Sequence, residues 1–394
     1  MTTYKYLIVG GGMTAAAAVE GIRAADTSGS IGVIGAEPDP PYNRPPLSKG
    51  LWKGESEDGI WRGTEKQGVK LHRGRTVQAL DLGAKSATDD TGAVHEFEKL
   101  LLATGATPRR LPFGGDSIIY FRTFQDYRAL RSLTEKGQRF AVIGGGFIGW
   151  EIAAALAMND RQVTMIFPDD AIGSHIYPQG LALSLSAYYR EKGVEIISGD
   201  TAMGIEKTSQ SLKLKTKNGR DLVVDGVVAG IGVTPNVALA QAAGLHIENG
   251  IVVDEHLRTS NPDVYAAGDV ANFFNPALGK RIRVEHEDNA NTMGRAAGKA
   301  MASQPGAYQH LPFFYSDLFE LGYEAVGDLD PELEIAEDWK EPYREGVVYY
   351  LRDGRVRGVL LWNIFGQVDP ARELIGEPGP FRAGDLKGRL PKAG

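Results

Sequence analysis

Two glycine-rich turns carry the clearest chemistry in the sequence, Gly10-Gly11-Gly12-Met13-Thr14-Ala15 and Gly144-Gly145-Gly146-Phe147-Ile148-Gly149. The need such a turn meets is specific. One glycine makes a tight turn, the next lets backbone N–H groups approach a pyrophosphate, and the third position lets a helix pack closely on the preceding strand. That helix then points its positive end at the phosphates. Ala15 stands at the third place of the first copy, a substitution the pattern tolerates. A dinucleotide also needs an acidic group for a ribose, roughly twenty residues further on at the end of a second strand. Glu37 and Asp169 stand at those places. A single glycine motif is weak, its bland reading being a simple tight turn. Two copies, each with its acid, point to two dinucleotide sites. Asp169 has no Arg or Lys beside it and would repel a ribose 2′-phosphate, so the second site is expected to prefer NADH to NADPH.

The elements that position these residues repeat with them. Tyr6-Leu-Ile-Val9 and Phe140-Ala-Val-Ile143 are apolar strands entering the turns, and a helical period follows each, through Ala16, Val19 and Ile22 and through Ile152, Ala155 and Leu156. Ile31–Ile34 and Val163–Phe167 read as the strands before the two acids. Later strands end in the small-residue turns Thr104-Gly105 and Gly268-Asp269. The implied class is α/β with two Rossmann-like units, and 394 residues leave room for a further domain. The net charge of -7 with no concentrated basic stripe argues against nucleic acid as a partner. Cysteine is absent, which excludes disulfides, thiolate metal sites and a redox-active Cys pair. No His pair has ligand spacing, so no metal is expected. No apolar run approaches the roughly twenty residues that span a bilayer, and Met1–Lys5 lead straight into a strand, so no stable membrane insertion and a cytoplasmic location are expected.

Several further segments carry a resemblance: Arg44-Pro-Pro-Leu-Ser-Lys49 with Leu51-Trp52, Gly230-Ile-Gly-Val-Thr-Pro-Asn236, Phe314-Tyr-Ser-Asp317, Gly322-Tyr-Glu-Ala325 and the stretch from Gly346 through Trp362 to Arg372. With them the whole chain resembles the flavoproteins built from two dinucleotide-binding domains, of glutathione-reductase-like fold. Within that group it is most similar to the branch holding apoptosis-inducing factor and the oxygenase-coupled ferredoxin reductases. The resemblance implies FAD on the first copy and NADH/NAD on the second. It also implies an FAD domain over residues 1–112 and 233–309, an NAD domain over 113–232, and a C-terminal α+β domain over 310–394. Lacking cysteines, the chain stands apart from relatives that pass electrons to a thiol pair. The activity implied is hydride transfer from NADH to FAD with a long-lived charge-transfer complex, the acceptor being an iron–sulfur protein, quinone or oxygen. The alternatives are an NADH-dependent ferredoxin or rubredoxin reductase of an oxygenase system, and a redox-responsive binding protein whose turnover is incidental. A homodimer is compatible with the resemblance. The mitochondrial relative's targeting leader and long regulatory insertion are not matched, a short acidic segment from Asp330 to Arg344 standing in the latter's place.

The same resemblance implies site roles. Lys49 would lie by the reactive edge of the flavin with Glu151 as its partner, and Glu285 and His286 would meet the cofactors from the start of a helix patterned by Ala290, Met293, Ala297 and Met301. Lys49, Glu151 and His286 are thus the catalytic candidates. Glu151 replaces Ala17 of the first copy, so the nucleotide fold itself does not require it, and its bland reading is a solvent-facing helix charge. Arg44, Val77, Thr104, Gly105, Arg109 and Asp269 are implied as FAD contacts, with Phe147 between flavin and nicotinamide, Tyr315 at the stacking position, and Gly232, Glu324 and Asn363 on the nicotinamide side. Tyr315 stands where the family commonly has Trp. The bland reading of Phe313, Phe314 and Tyr315 is core packing.

Overall fold

The computed structural model describes residues 2–209 and 211–391. By contacts the chain divides into two units, one of Met1–Arg44, Ser56–Thr107 and Thr234–Pro312, the other of Pro45–Glu55, Pro108–Val233 and Phe313–Gly394.

In the first unit, four parallel strands lie in the order Val69–Arg73, Ile31–Gly35, Thr2–Val9 and Val94–Leu102, with Val264–Ala266 added in parallel on the last. The apolar runs at Leu7–Val9 and Leu100–Leu102 are buried on both faces, as a sheet covered on each side demands. The hairpin Val77–Asp81 and Ser86–Asp89 continues the sheet antiparallel. Helix Met13–Ala25 lies against helix Glu287–Met301, where Thr14, Ala17 and Ala18 face Gly294, and Ala18 and Ile22 face Gly298. Small residues on both sides let the backbones approach. Ala290, Met293, Ala297 and Met301 form the buried stripe expected from their spacing.

The second unit repeats that plan. Its parallel sheet runs Val194–Ser198, Gln162–Phe167, Arg139–Ile143, Gly226–Ala229 and Ile118–Tyr120. A three-stranded antiparallel sheet, Ala202–Lys207, Leu212–Thr216 and Asp221–Val224, is inserted before Gly226–Ala229, the last of these strands in chain order. A separate antiparallel sheet follows, ordered Phe313–Leu318, Leu321–Gly327, Arg355–Trp362, Glu345–Arg352 and Glu334–Glu341. Its long apolar strands are covered by helix Val368–Gly376 through Ala371, Leu374 and Ile375. The acidic segment noted in the sequence supplies the edge strand Glu334–Glu341, where charge discourages edge-to-edge pairing.

The two glycine turns have the same backbone. Gly10 and Gly144 have φ of 121° and 113°, and Gly12 and Gly146 cap the following helices at φ of −92° and −96°. A Cβ at Gly10 would lie 2.0 Å from the Ala103 carbonyl oxygen, and one at Gly144 2.3 Å from that of Gly230. Neither turn tolerates a side chain. Gly10→Ala is therefore expected to lower stability by about 2 kcal/mol or more. A urea midpoint equal to that of the unsubstituted protein would contradict this reading of the turn.

Candidate functional site

Each turn opens a helix whose first residues are those singled out by spacing, Met13, Thr14 and Ala15 in one unit and Phe147, Ile148 and Gly149 in the other. Both helices begin on glycine, without a side-chain cap and without an acidic residue in the first turn. The backbone donors of the first turn thus face no competing carboxylate, the arrangement an anionic pyrophosphate requires. Glu37 and Asp169 each stand two residues beyond the end of the second strand, Ile31–Gly35 or Gln162–Phe167.

In the first unit Glu37 is tied to its surroundings. Its carboxylate accepts from the Tyr42 hydroxyl at 2.5 Å and is ion-paired with Arg44, whose guanidinium also donates to Tyr42 at 2.9 Å. A carboxylate offers about four lone-pair positions, so acceptor capacity remains for ribose hydroxyls. Thr14 lies against Gly268, the glycine that precedes Asp269 in a short 3₁₀ turn. Arg283, not singled out from the sequence, joins that turn to the next segment: it donates to the Asp269 carbonyl at 3.1 Å and to Glu285 at 2.5 Å. His286 is the cap residue of helix Glu287–Met301. Thr104 and Gly105 are fastened to Asn236, Thr104 through two hydrogen bonds of 2.8 Å and Gly105 through one of 3.0 Å. Val77 is buried at the start of its strand. These residues, with Gly10 and Gly12, all belong to the first unit.

The second group is in the other unit. Segment Pro45–Glu55 brings Lys49 to helix Phe147–Met158, where its ammonium lies 2.7 Å from Glu151 Oε2. Glu151 is 5% exposed and Lys49 13%, so Glu151 is not a solvent-facing helix charge. Its first-copy counterpart Ala17 is also buried, and there the fold fills the position with a methyl group. The Tyr315 ring lies beneath the Lys49 ammonium at 5.3 Å. Phe147 packs edge-on against Trp150 and Phe314 at 5.0 and 5.4 Å. Phe314 is in contact with Tyr323 as well, and Phe314 and Tyr315 are both half-buried. Burial raises the phenol pKa values of Tyr177 and Tyr323 well above the ordinary value; Tyr177 stacks on Trp150, and Tyr323 meets Tyr177 edge-on.

Asp169 is exposed, with its carbonyl held by the Gly199 N–H at 3.1 Å. Gly145 accepts from Gly173 at 3.3 Å, which folds the loop after Asp169 back to the glycine turn. Gly232 accepts from the Arg109 N–H at 2.9 Å, and the Arg109 side chain is exposed. Glu324 accepts from the Gly366 N–H at 2.9 Å, and Asn363, at φ 56°, donates to the Gly322 carbonyl at 2.8 Å.

The residues present fit two dinucleotides: two turns that only glycine can form, two helix starts without side-chain caps, and a carboxylate beyond each second strand. Among the described residues no group of three His, Cys, Asp or Glu side chains could hold a metal ion, and no helix is long and apolar enough to cross a membrane.

The family model for pyridine nucleotide-disulphide oxidoreductases matches residues 4–294. The model for the mitochondrion-associated C-terminal region of apoptosis-inducing factor matches residues 334–377. Apoptosis-inducing factor 1, mitochondrial, of Dictyostelium discoideum is 32% identical over 94% of this chain and 78% of its own. The ferredoxin–NAD(+) reductase component of the anthranilate 1,2-dioxygenase system of Burkholderia cepacia is 35% identical over 95% of each chain. Among solved structures, the putidaredoxin reductase–putidaredoxin complex superimposes with a TM-score of 0.91 at 28% identity, covering 99% of this chain and 97% of the other.

Proposed function

Since this chain belongs to the pyridine nucleotide-disulphide oxidoreductase family and is an FAD-dependent NAD(P)H oxidoreductase, we propose that it takes hydride from NADH and works in the manner of the apoptosis-inducing factor branch. The observation that carries this reading is Asp169, two residues beyond the second strand of the second nucleotide fold, in a chain without cysteine. The carboxylate suits a ribose with free 2′- and 3′-hydroxyls. The missing cysteines leave the electrons no internal thiol acceptor. Residues 1–112 and 233–309 are assigned to FAD, 113–232 to NADH, and 310–394 to the C-terminal domain, with a cytoplasmic location.

FAD supplies the two-electron chemistry when bound; the protein supplies binding, orientation and charge. Glu37 and Arg44 would hold its adenosine end, with Gly10, Gly12 and helix Met13–Ala25 at the pyrophosphate. Phe147–Gly149 and Asp169 would hold NADH. The Lys49 ammonium, kept in place by Glu151, would supply positive charge where negative charge arrives with hydride. Arg283 fixes Glu285 and the Asp269 turn together, so these contacts keep one geometry.

Tyr315 would offer the nicotinamide a face, and a complex held there would resist oxygen. Tyr has a smaller π-surface than Trp, so Tyr315→Trp is expected to lengthen the lifetime of that complex several-fold and Tyr315→Ala to shorten it. Anaerobic NADH titration followed by mixing with air reads this directly. The expected sign is a long-wavelength band that decays slowly. No such band, with reoxidation as fast as after dithionite, would leave an ordinary reductase.

A second reading has its own support in the similarity to the Burkholderia cepacia reductase component and to the putidaredoxin reductase complex: the acceptor is an iron–sulfur protein. A panel of a [2Fe–2S] ferredoxin, a quinone and oxygen separates the two, because fast reduction of the ferredoxin favours a relay and slow turnover with every acceptor favours the persistent complex.

A further inference from the structure

Glu151 is held by more than Lys49. Its Oε2 accepts from the Ser48 hydroxyl at 2.6 Å as well as from Lys49, and its Oε1 accepts from the Ser316 hydroxyl at 2.6 Å. Both serines are buried, at 6% and 1% exposed. Ser316 Oγ in turn accepts from the Trp150 indole N–H at 3.1 Å, and Trp150 is fully buried. The indole can only donate, so Ser316 has one side occupied as an acceptor and directs its own proton to Glu151. Ser48 has another acceptor, the Pro45 carbonyl, but at 3.4 Å against 2.6 Å to Glu151.

The arrangement fixes the plane of the carboxylate. With one oxygen held by Ser316 and the other shared by Ser48 and Lys49, the group cannot rotate about its last bond without breaking a short hydrogen bond to a charged acceptor, the stronger kind. The same two segments touch both halves of the ion pair. Ser48 and Lys49 are neighbours in one, and in strand Phe313–Leu318 Tyr315 lies under the Lys49 ammonium while Ser316 holds Glu151.

We propose that Ser316 and Ser48 are positioning residues for flavin reduction, which act through Glu151 to hold the Lys49 ammonium in the one orientation that serves the reaction. The inference rests on the proposed role of the Lys49–Glu151 pair. Ser316 is the more important of the two, because it is the serine that holds Oε1 while Ser48 shares Oε2 with Lys49.

The test is anaerobic stopped-flow reduction of the FAD-loaded enzyme by saturating NADH, with the midpoint potential of the bound flavin measured on the same preparations. Ser316→Ala is expected to slow reduction about tenfold and Ser48→Ala about threefold. The apparent Kd for NADH should stay within about twofold and FAD should remain bound. The midpoint potential should move to a more negative value, as it does when positive charge near the flavin is less well placed. A loss of packing alone would not move it. Ser316→Cys, nearly the same size but a weak donor, should fall between the parent and Ser316→Ala. In a Glu151→Gln background, Ser316→Ala should add little, since the serine acts through the carboxylate. Effects that multiply in the double variant, or an unchanged midpoint potential in both serine variants, would overturn the inference while leaving the ion-pair reading intact. If Glu151→Gln itself reduces at the parent rate, the ion-pair reading falls and takes this inference with it.

Discussion

NADPH is expected to reduce the protein about a hundredfold less efficiently than NADH, and Asp169→Arg is expected to close most of that gap. Two physical effects add. A carboxylate accepting from ribose hydroxyls makes charge-assisted hydrogen bonds that a 2′-phosphate cannot replace, and the phosphate brings close to two negative charges beside it. Asp169 is exposed, so water and salt screen the repulsion, and the preference should shrink as ionic strength rises. Arginine at the same place turns repulsion into attraction and presents a planar fork to the phosphate. Flanking residues do not help it, because Asp170 follows directly and its charge still opposes NADPH. The variant should therefore approach equal use of the two donors rather than a full reversal. Initial rates of reduction with each donor, taken as kcat/KM at two salt concentrations, decide the matter. Equal efficiency in the unsubstituted protein would remove Asp169 from the role.

What the sequence made legible and what it hid follow from one distinction. Gly10 and Gly144 could be found because backbone conformation restricts the residue there: a turn at φ above 110° with a carbonyl oxygen where Cβ would be admits only glycine. The strands around them were legible because a sheet covered on both faces needs an unbroken apolar run, such as Leu100–Leu102. Glu37 and Asp169 were legible through their fixed distance from those turns. Glu151 was visible as a break in an internal repeat, but its surroundings were not. Its hydrogen bonds to Ser48 and Ser316 span 103 and 165 residues, and no local pattern encodes a contact of that range. Both serines stood inside segments whose resemblance was noted, yet serine is so common in turns and strand ends that its type carried no signal.

The same reasoning explains two further gaps. Segment Pro45–Glu55 is made of short 3₁₀ turns, and nothing in its composition shows that it groups with Pro108–Val233 rather than with the strands on either side of it in sequence. Nothing in the run Lys280-Arg-Ile-Arg283 marks Arg283 out, and only the fold shows its head group on the Asp269 carbonyl and the Glu285 carboxylate. In each case the missing information was which distant segment arrives, a property of the assembled sheet order rather than of the local pattern.

Glu151→Ala is expected to slow reduction by NADH about a hundredfold while FAD stays bound, the size of effect seen when a preorganised charge is lost from a desolvated site. The ion pair it breaks is mostly buried, with Lys49 13% and Glu151 5% exposed. Removing one partner leaves the other charge without its counter-ion in a poorly solvated place, which typically costs about 3 kcal/mol or more. The variant should therefore be less stable as well as slower, and the two effects must be separated. Replacing both charges by apolar groups of similar volume does this. Lys49→Met with Glu151→Leu removes the desolvation cost on both sides; Ser48 can turn to the Pro45 carbonyl, and Ser316 keeps its bond from Trp150 but loses the acceptor of its own proton, a cost of about 1 kcal/mol or more. Most of the stability should return in that double variant, as read from the urea midpoint. The rate should not, because no ammonium remains to meet the negative charge that arrives with hydride. If the double variant regains both stability and rate, or if Glu151→Ala reduces at the parent rate, the pair is a structural element and the electrostatic role is wrong.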